Sequence, residues 1–193
     1  VRAPTGNVLP VVWRWISGRF PCPAFRDFCT AHENELRTIV GSRRCQTNDV
    51  GRSAVLLPAF EHVRRATDAD AIAQLEIGTS AGLKLNWDRY QYEFAGVGQI
   101  GDEDSPVTVQ TEIRDDTRPP LSQTFPAVRH RCGVDLNTLD VTDEADARWL
   151  HALVHPNQSR RHEQLKGAIE IGRQVTVDVA SSETNDDRVA VFR

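Results

Sequence analysis

Residues 75–90 read LEIGTSAGLKLNWDRY, and the interpretation of this stretch decides the fold. An apolar run ends at Gly78, and a helix-like pattern resumes after Gly82. A strand, a glycine-flanked turn and a helix in that order support two chemistries. Gly78-x-Ser80-x-Gly82 fits G-x-S-x-G, a strained elbow that lifts a serine nucleophile off the end of a strand. Glu76-x-Gly78-x-Ser80-x-Gly82 equally fits a turn whose backbone N–H groups approach a nucleotide. Ser80 is the nucleophile in the first reading and a small spacer in the second.

Upstream of the turn, Ala71–Ile77 has the composition of a buried parallel strand. Residues 49–66 predict a helix with Val55, Leu56, Ala59, Phe60 and Val63 on its apolar face. Thr47 or Asn48 would cap it, and Pro58 would kink it. Earlier still, Phe25, Phe28, Cys29, Leu36 and Ile39 recur at helical spacing from Pro23 to near Gly41, and Trp13, Trp15 and Phe20 are expected to pack on that helical layer.

Downstream, residues 82–91 read as helical, and residues 93–127 shift to Gly, Asp, Pro and Thr. Within that segment Val107, Val109, Thr111 and Ile113 alternate with polar residues, marking one strand of a surface insertion. The insertion is expected to close over the carboxyl edge of the sheet near Gly78 and Asp135. Residues 128–135, 175–179 and 189–192 read as strands, and 143–153 and 159–171 as helices. Asp143, Glu144 and Asp146 suit the positive end of the first of these helices. The order gives an α/β class with a Rossmann-like parallel sheet. A helical cap over residues 1–69 precedes a domain over 70–193, which carries the insertion at 93–127.

With 193 residues, 39% hydrophobic and 26% charged, the composition is that of a soluble globular protein. The net charge of −4 gives no basic footprint, so no nucleic-acid partner is expected. No apolar run reaches the ~18 residues of a membrane span, so a cytoplasmic protein with a small-molecule partner is expected; the oligomeric state is open. Cys22, Cys29, Cys45 and Cys132 include no C-x-x-C pair and are expected as buried thiols. The sequence begins at Val1 and lacks methionine. Missing ends, and omitted modified methionines or loops, are therefore expected.

The nucleophile reading requires a histidine, an acid and oxyanion donors. His130, His151, His155 and His162 follow Ser80. G-T-S-A-G resembles the elbow of patatin-like lipases over five residues. Their glycine-rich oxyanion loop and Asp-Gly dipeptide have no counterpart here. The nucleotide reading requires an acid at the tip of the next strand for the ribose hydroxyls, and Asp135 stands there. Asp178 takes the corresponding place on the third strand. Asn48, Arg52, Asn86, Asp88, Arg89 and Tyr90 are substrate-pocket candidates, flanking the turn in sequence on a polar hinge and on the helix-like run. His151 and His155 have metal-ligand spacing but no third ligand, so no metal site is assigned.

Taken together, E-x-G-x-S-x-G, G-V-D-L-N and V-D-V-A resemble the motifs of class I S-adenosylmethionine-dependent methyltransferases. The resemblance implies S-adenosylmethionine as cofactor, held by Glu76, Gly78, Ser80, Gly82, Asp135 and Asp178. Ser80 stands where that family usually has glycine, and Gly82 and Asp135 are farther apart than is usual there. A resemblance over nearly the whole chain is to the bacterial domain of unknown function family 2332. It rests on R-R-C-Q-T-N-D-V-G-R (43–52), residues 75–92, G-D-E-D-S-P-V (101–107), G-V-D-L-N-T-L-D-V-T-D (133–143) and R-W-L-H-A-L-V-H-P-N-Q (148–158). His155 replaces a tryptophan usual in that family. The expectation is S-adenosylmethionine binding with methyl transfer to a small molecule, and no catalytic residue is assigned. A serine hydrolase using Ser80, or a non-catalytic binding protein with a degenerate Rossmann site, are the alternatives.

Overall fold

The computed structural model describes residues 22–46, 48–114 and 118–181. The chain divides into two compact units, residues 1–45 and 46–193. The first unit contributes α1 (Cys22–Ala31) and α2 (Glu33–Ser42). One continuous helix was the expectation. The break falls at His32, whose φ of −116° is non-helical and whose ring sits 4.6 Å from that of Phe28. Glu33 and Glu35 occupy the first turn of α2, where the helix dipole favours negative charge. Trp13, Trp15 and Phe20 lie outside the described residues.

In the second unit Asp49 caps a 3-10 turn, Val50–Arg52, by accepting the Gly51 N–H at 3.1 Å. Helix α3 (Ser53–Thr67) follows and continues across Pro58. Its buried stripe is Ala54, Leu57 and Glu61, which overturns the expected face: Val55 is 77% exposed, and Leu56 and Val63 also face outward. The stripe is set by Val50, Ala54 and Leu57 joining a core centred on Trp87, against which Phe60 stacks at 4.4 Å. Glu61 tolerates burial because Arg64 and Arg65 both reach it, Arg64 Nε at 2.8 Å. The Arg64 hydrogen bond, assisted by Arg65 against the penalty of burial, lowers its carboxyl to about 2.

Two three-stranded sheets follow. The first has the order β1 (Ala71–Ile77), β5 (Ala127–Asp135), β6 (Asp178–Ser181), all parallel. The second joins β2 (Gln91–Phe94) antiparallel to β3 (Gly98–Gly101) and parallel to β4 (Thr108–Thr111). The architecture is mixed α/β. The parallel strand expected at Ala71–Ile77 is present, but it is not buried on both faces. Leu75 is 48% and Ile77 85% exposed.

The helix expected over residues 82–91 is replaced by 3-10 turns, Leu83–Arg89, irregular at Asn86 (φ −97°, ψ 21°). Leu83, Leu85, Asn86 and Trp87 are all buried there, so the run is apolar for core packing rather than helical periodicity. The 93–127 segment likewise departs from expectation. Tyr92, Phe94, Ile100, Val107 and Val109 sit in the main core, so the second sheet is structural interior rather than a surface excursion. It packs on α5 (Ser159–Gly172): a Cβ on Gly167 would fall 2.6 Å from the Pro106 carbonyl oxygen. Gln164 also donates to the Thr108 carbonyl at 2.7 Å. These contacts anchor the segment on α5.

Helix α4 (Glu144–Ala152) begins as its acids imply, with Asp143 accepting the Ala145 and Asp146 N–H groups at 2.8 and 2.9 Å. Helices α4 and α5 connect β5 to β6. Strand β6 starts at Asp178, three residues later than the 175–179 reading. Residues 189–192 lie outside the described residues.

Candidate functional site

The turn after β1 has positive φ at Gly78 (79°), Ser80 (55°) and Gly82 (70°). The Gly78 N–H donates to the Val134 carbonyl at 2.7 Å, carrying the β1–β5 ladder past Ile77. The chain then doubles back. Thr79 lies over Gly133, where a Cβ would approach Thr79 Oγ1 to 2.7 Å. Thr79 Oγ1 donates to Glu76 Oε2 at 2.9 Å, and Lys84 pairs with the same carboxylate.

The three glycine and serine positions face different surroundings. A Cβ on Gly78 would meet nothing within 4 Å, so its backbone is open to a ligand. A Cβ on Gly82 would lie 3.2 Å from Val177 and 3.5 Å from Val179, so Gly82 serves packing. Ser80 is only 4% exposed. Its N–H donates to Asp135 Oδ2 at 2.7 Å and its carbonyl accepts the Leu139 N–H at 3.3 Å. Its hydroxyl donates to Gln46 Oε1 at 2.8 Å and accepts from Asn48 Nδ2 at 2.7 Å.

Asp135 closes β5 and gathers the site. Besides Ser80, its Oδ1 accepts the Asn137 N–H and Gln46 Nε2, both at 2.8 Å. Burial is the largest influence on this carboxyl and pushes its pKa up. The N–H groups of Asn137 and Ser80, the Gln46 amide and the Leu136 N–H together outweigh it, and the carboxyl sits below its ordinary range. Asp135 is therefore a carboxylate at neutral pH, already bound to the turn it faces.

Chemically, this arrangement favours recognition over nucleophilic catalysis. Among the described residues, the side-chain partners of Ser80 Oγ are two carboxamides, which take up no proton near neutral pH and cannot act as its general base. The positive φ of Ser80 is nonetheless what an elbow would show.

The remaining sequence candidates disperse. Asp178 opens β6 opposite Cys132, while the strand ends are marked by Asp135 beside Ser181. Arg52 lines a groove of about 580 Å³ with Val55, Leu56, Leu75 and Ile77. Asn86 borders a separate cleft of about 520 Å³ with Asp140 and Arg173. Asp88 is locked in a bidentate pair with Arg131, both bonds 2.7 Å. Tyr90 is buried, its hydroxyl donating to the Leu83 carbonyl at 2.5 Å, and burial drives its pKa upward. Arg89 is exposed, 3.8 Å from Asp88. Of the pocket candidates, Asn48 meets the turn, through the Ser80 hydroxyl.

The rings of His151 and His162 stack at 5.8 Å, and His155 bonds Asn157 at 2.8 Å. Among the described residues no group of three His, Cys, Asp or Glu side chains is placed to hold a metal. Cys29 and Cys132 are half-buried and Cys45 is exposed, which corrects the expectation of buried thiols at these three positions. No helix among the described residues is long and apolar enough to cross a membrane. Gln46 is the residue that sequence reasoning missed. Its only signal was its place in the polar Gln46-Thr47-Asn48 run between helices.

A family profile described as "Uncharacterized protein conserved in bacteria (DUF2332)" matches residues 17–190. No curated protein and no solved structure matches the chain.

Proposed function

The chain belongs to the bacterial family DUF2332, and on that footing we propose that it binds S-adenosylmethionine and transfers the methyl group to a small molecule. The observation that carries the reading is the open backbone of Gly78 beside the carboxylate of Asp135. Ile77 pairs with Val134, so the two residues follow adjacent parallel strands at their carboxyl ends. Ligands of open α/β sheets bind at that edge, and the first turn and second-strand acid are the parts a Rossmann-like site uses.

The fit to the cofactor is partial. Gly78 offers space and Asp135 offers charge. Gly82 is packed on Val177 and Val179, Glu76 is held by Thr79 and Lys84, and Asp178 lies away from the strand tips. The reading therefore rests on Gly78 and Asp135. S-adenosylmethionine, when bound, supplies an electrophilic methyl group on a sulfonium. The chain's own contribution is to hold the two reactants in line, which by itself accounts for a large part of such a rate.

Calorimetry with S-adenosylmethionine and its demethylated product tests the proposal. Wild type is expected to bind both. Gly78→Val fills the open space and strains a left-handed position, and is expected to lose at least about tenfold in affinity. No binding by the wild-type chain ends the reading. The Ser80 hydrolase is the second reading, favoured by the left-handed φ at the G-x-S-x-G centre. Covalent labelling of Ser80 by a fluorophosphonate would put it first.

A further inference from the structure

Asp135 raises a difficulty for any ligand: its oxygens already hold Ser80, Asn137 and Gln46. The three partners are not equivalent. Ser80 and Asn137 donate from the backbone, and each is fixed by the turn or strand end to which it belongs. Gln46 donates from a flexible side chain in the segment before the Val50–Arg52 turn and is itself half-buried, with a path to solvent. Its amide bridges the site, donating Nε2–H to Asp135 Oδ1 and accepting a hydrogen bond from the Ser80 hydroxyl on Oε1.

We propose that Gln46 is a latch on Asp135, holding the positions a ribose hydroxyl takes and swinging out when the cofactor binds. The inference rests on the S-adenosylmethionine reading above. A hydroxyl donates and accepts at once, so one ribose hydroxyl reproduces both contacts of the Gln46 amide. Release of Gln46 leaves no buried orphan: Ser80 Oγ keeps Asn48 at 2.7 Å, and Asp135 keeps its backbone donors. Asn48 stays on Ser80, and Asp49 is anchored by its Gly51 cap and by Arg161, so the movement is that of the Gln46 side chain. A closed latch lowers the apparent affinity by the fraction of molecules in which it is open.

Calorimetry with S-adenosylmethionine on the full chain compares wild type, Gln46→Ala and Gln46→Glu. Alanine removes the competitor, and glutamate cannot donate to Asp135 and repels it. Both variants are expected to bind about three- to tenfold more tightly than wild type. Unchanged or weaker binding in both overturns the latch while leaving the cofactor reading in place. Absence of binding in all three proteins removes the cofactor reading and the latch with it. Nuclear magnetic resonance of the wild-type Gln46 side-chain amide is the second measurement, needed if the variants fail to fold. Its protons are expected to exchange faster with solvent once S-adenosylmethionine is bound. Protons that remain equally protected overturn the latch.

Discussion

The backbone N–H of Ser80 lies 2.7 Å from Oδ2 of Asp135, joining residues 55 positions apart. A left-handed conformation costs an L-residue about 1–2 kcal/mol. A hydrogen bond to a carboxylate contributes about 1.5–3 kcal/mol, enough to offset it. Asp135 thus stabilises the turn whether or not a ligand is present.

Removal of this carboxylate should be felt in stability as well as in binding. Asp135→Ala is expected to cost about 2–3 kcal/mol in urea unfolding, because it leaves a buried N–H unpaired. Asp135→Asn, which keeps an acceptor, should cost less. The folded carboxyl titrates below its unfolded value of 3.8. Its stabilisation is therefore present above about pH 4 and is lost as pH falls through the folded pKa. Wild type should lose more stability than Asp135→Asn as pH falls below about 4.

Gly133 is fixed by Thr79 rather than by its own backbone. Gly133→Ala sets a methyl group 2.7 Å from Thr79 Oγ1 and is expected to destabilise by about 1–3 kcal/mol. Combining it with Thr79→Ala should restore part of the loss, seen as favourable coupling in a double-mutant cycle. Additive losses would show that the contact is not the cause.

The Arg131–Asp88 pair is bidentate and largely buried, with side chains 7% and 12% exposed. Arg131→Met leaves the buried Asp88 carboxylate without its bidentate donor, while the Leu85 carbonyl keeps the Gln74 amide. The expected cost is about 3–5 kcal/mol, while Arg131→Met with Asp88→Leu should recover most of it. Thermal and urea unfolding of the single and double variants measure this.

His151 faces His162 and Glu163 from α5. Burial is the main force lowering its pKa below 6.5, the neighbouring His162 adds to it, and Glu163 opposes it. The neutral ring is the folded form. Its contribution to stability is full above about pH 6.5 and declines as pH falls toward the folded pKa. Wild type should therefore lose stability across that interval, and His151→Gln should lose less. A proton titration placing His151 above 6.5 would reverse the expectation.

Elements whose signal is local were legible in the sequence. Strand β1 follows from its largely apolar run, and α4 from Asp143, whose side chain caps it without reference to the rest of the fold. Elements decided by packing were not legible. Val55, Leu56 and Val63 satisfy helical periodicity as well as Ala54 and Leu57 do, but the core around Trp87 selects the latter pair. Residues 83–89 carry enough apolar side chains for a helix, yet each is drawn into the interior from a 3-10 path. At the site, Gly78, Ser80 and Asp135 announced themselves through glycine spacing and strand-end position, and the structure brings them together. Gln46 could not be found that way, since an uncharged amide has no signature until its partners are assembled around it.

The second sheet also has a kinetic meaning. Parallel pairing of Ala71 with Ala127 demands closure of a long loop before it returns any free energy. Within that loop β2 and β3 form a local hairpin over Ala95-Gly96-Val97, and β4 then adds beside β2. A prefolded hairpin shortens the distance that remains to be closed, so the expected order of assembly is hairpin first and parallel ladder last. Gly96→Val, at a φ of 77°, should accordingly slow refolding in stopped-flow measurements more than it speeds unfolding.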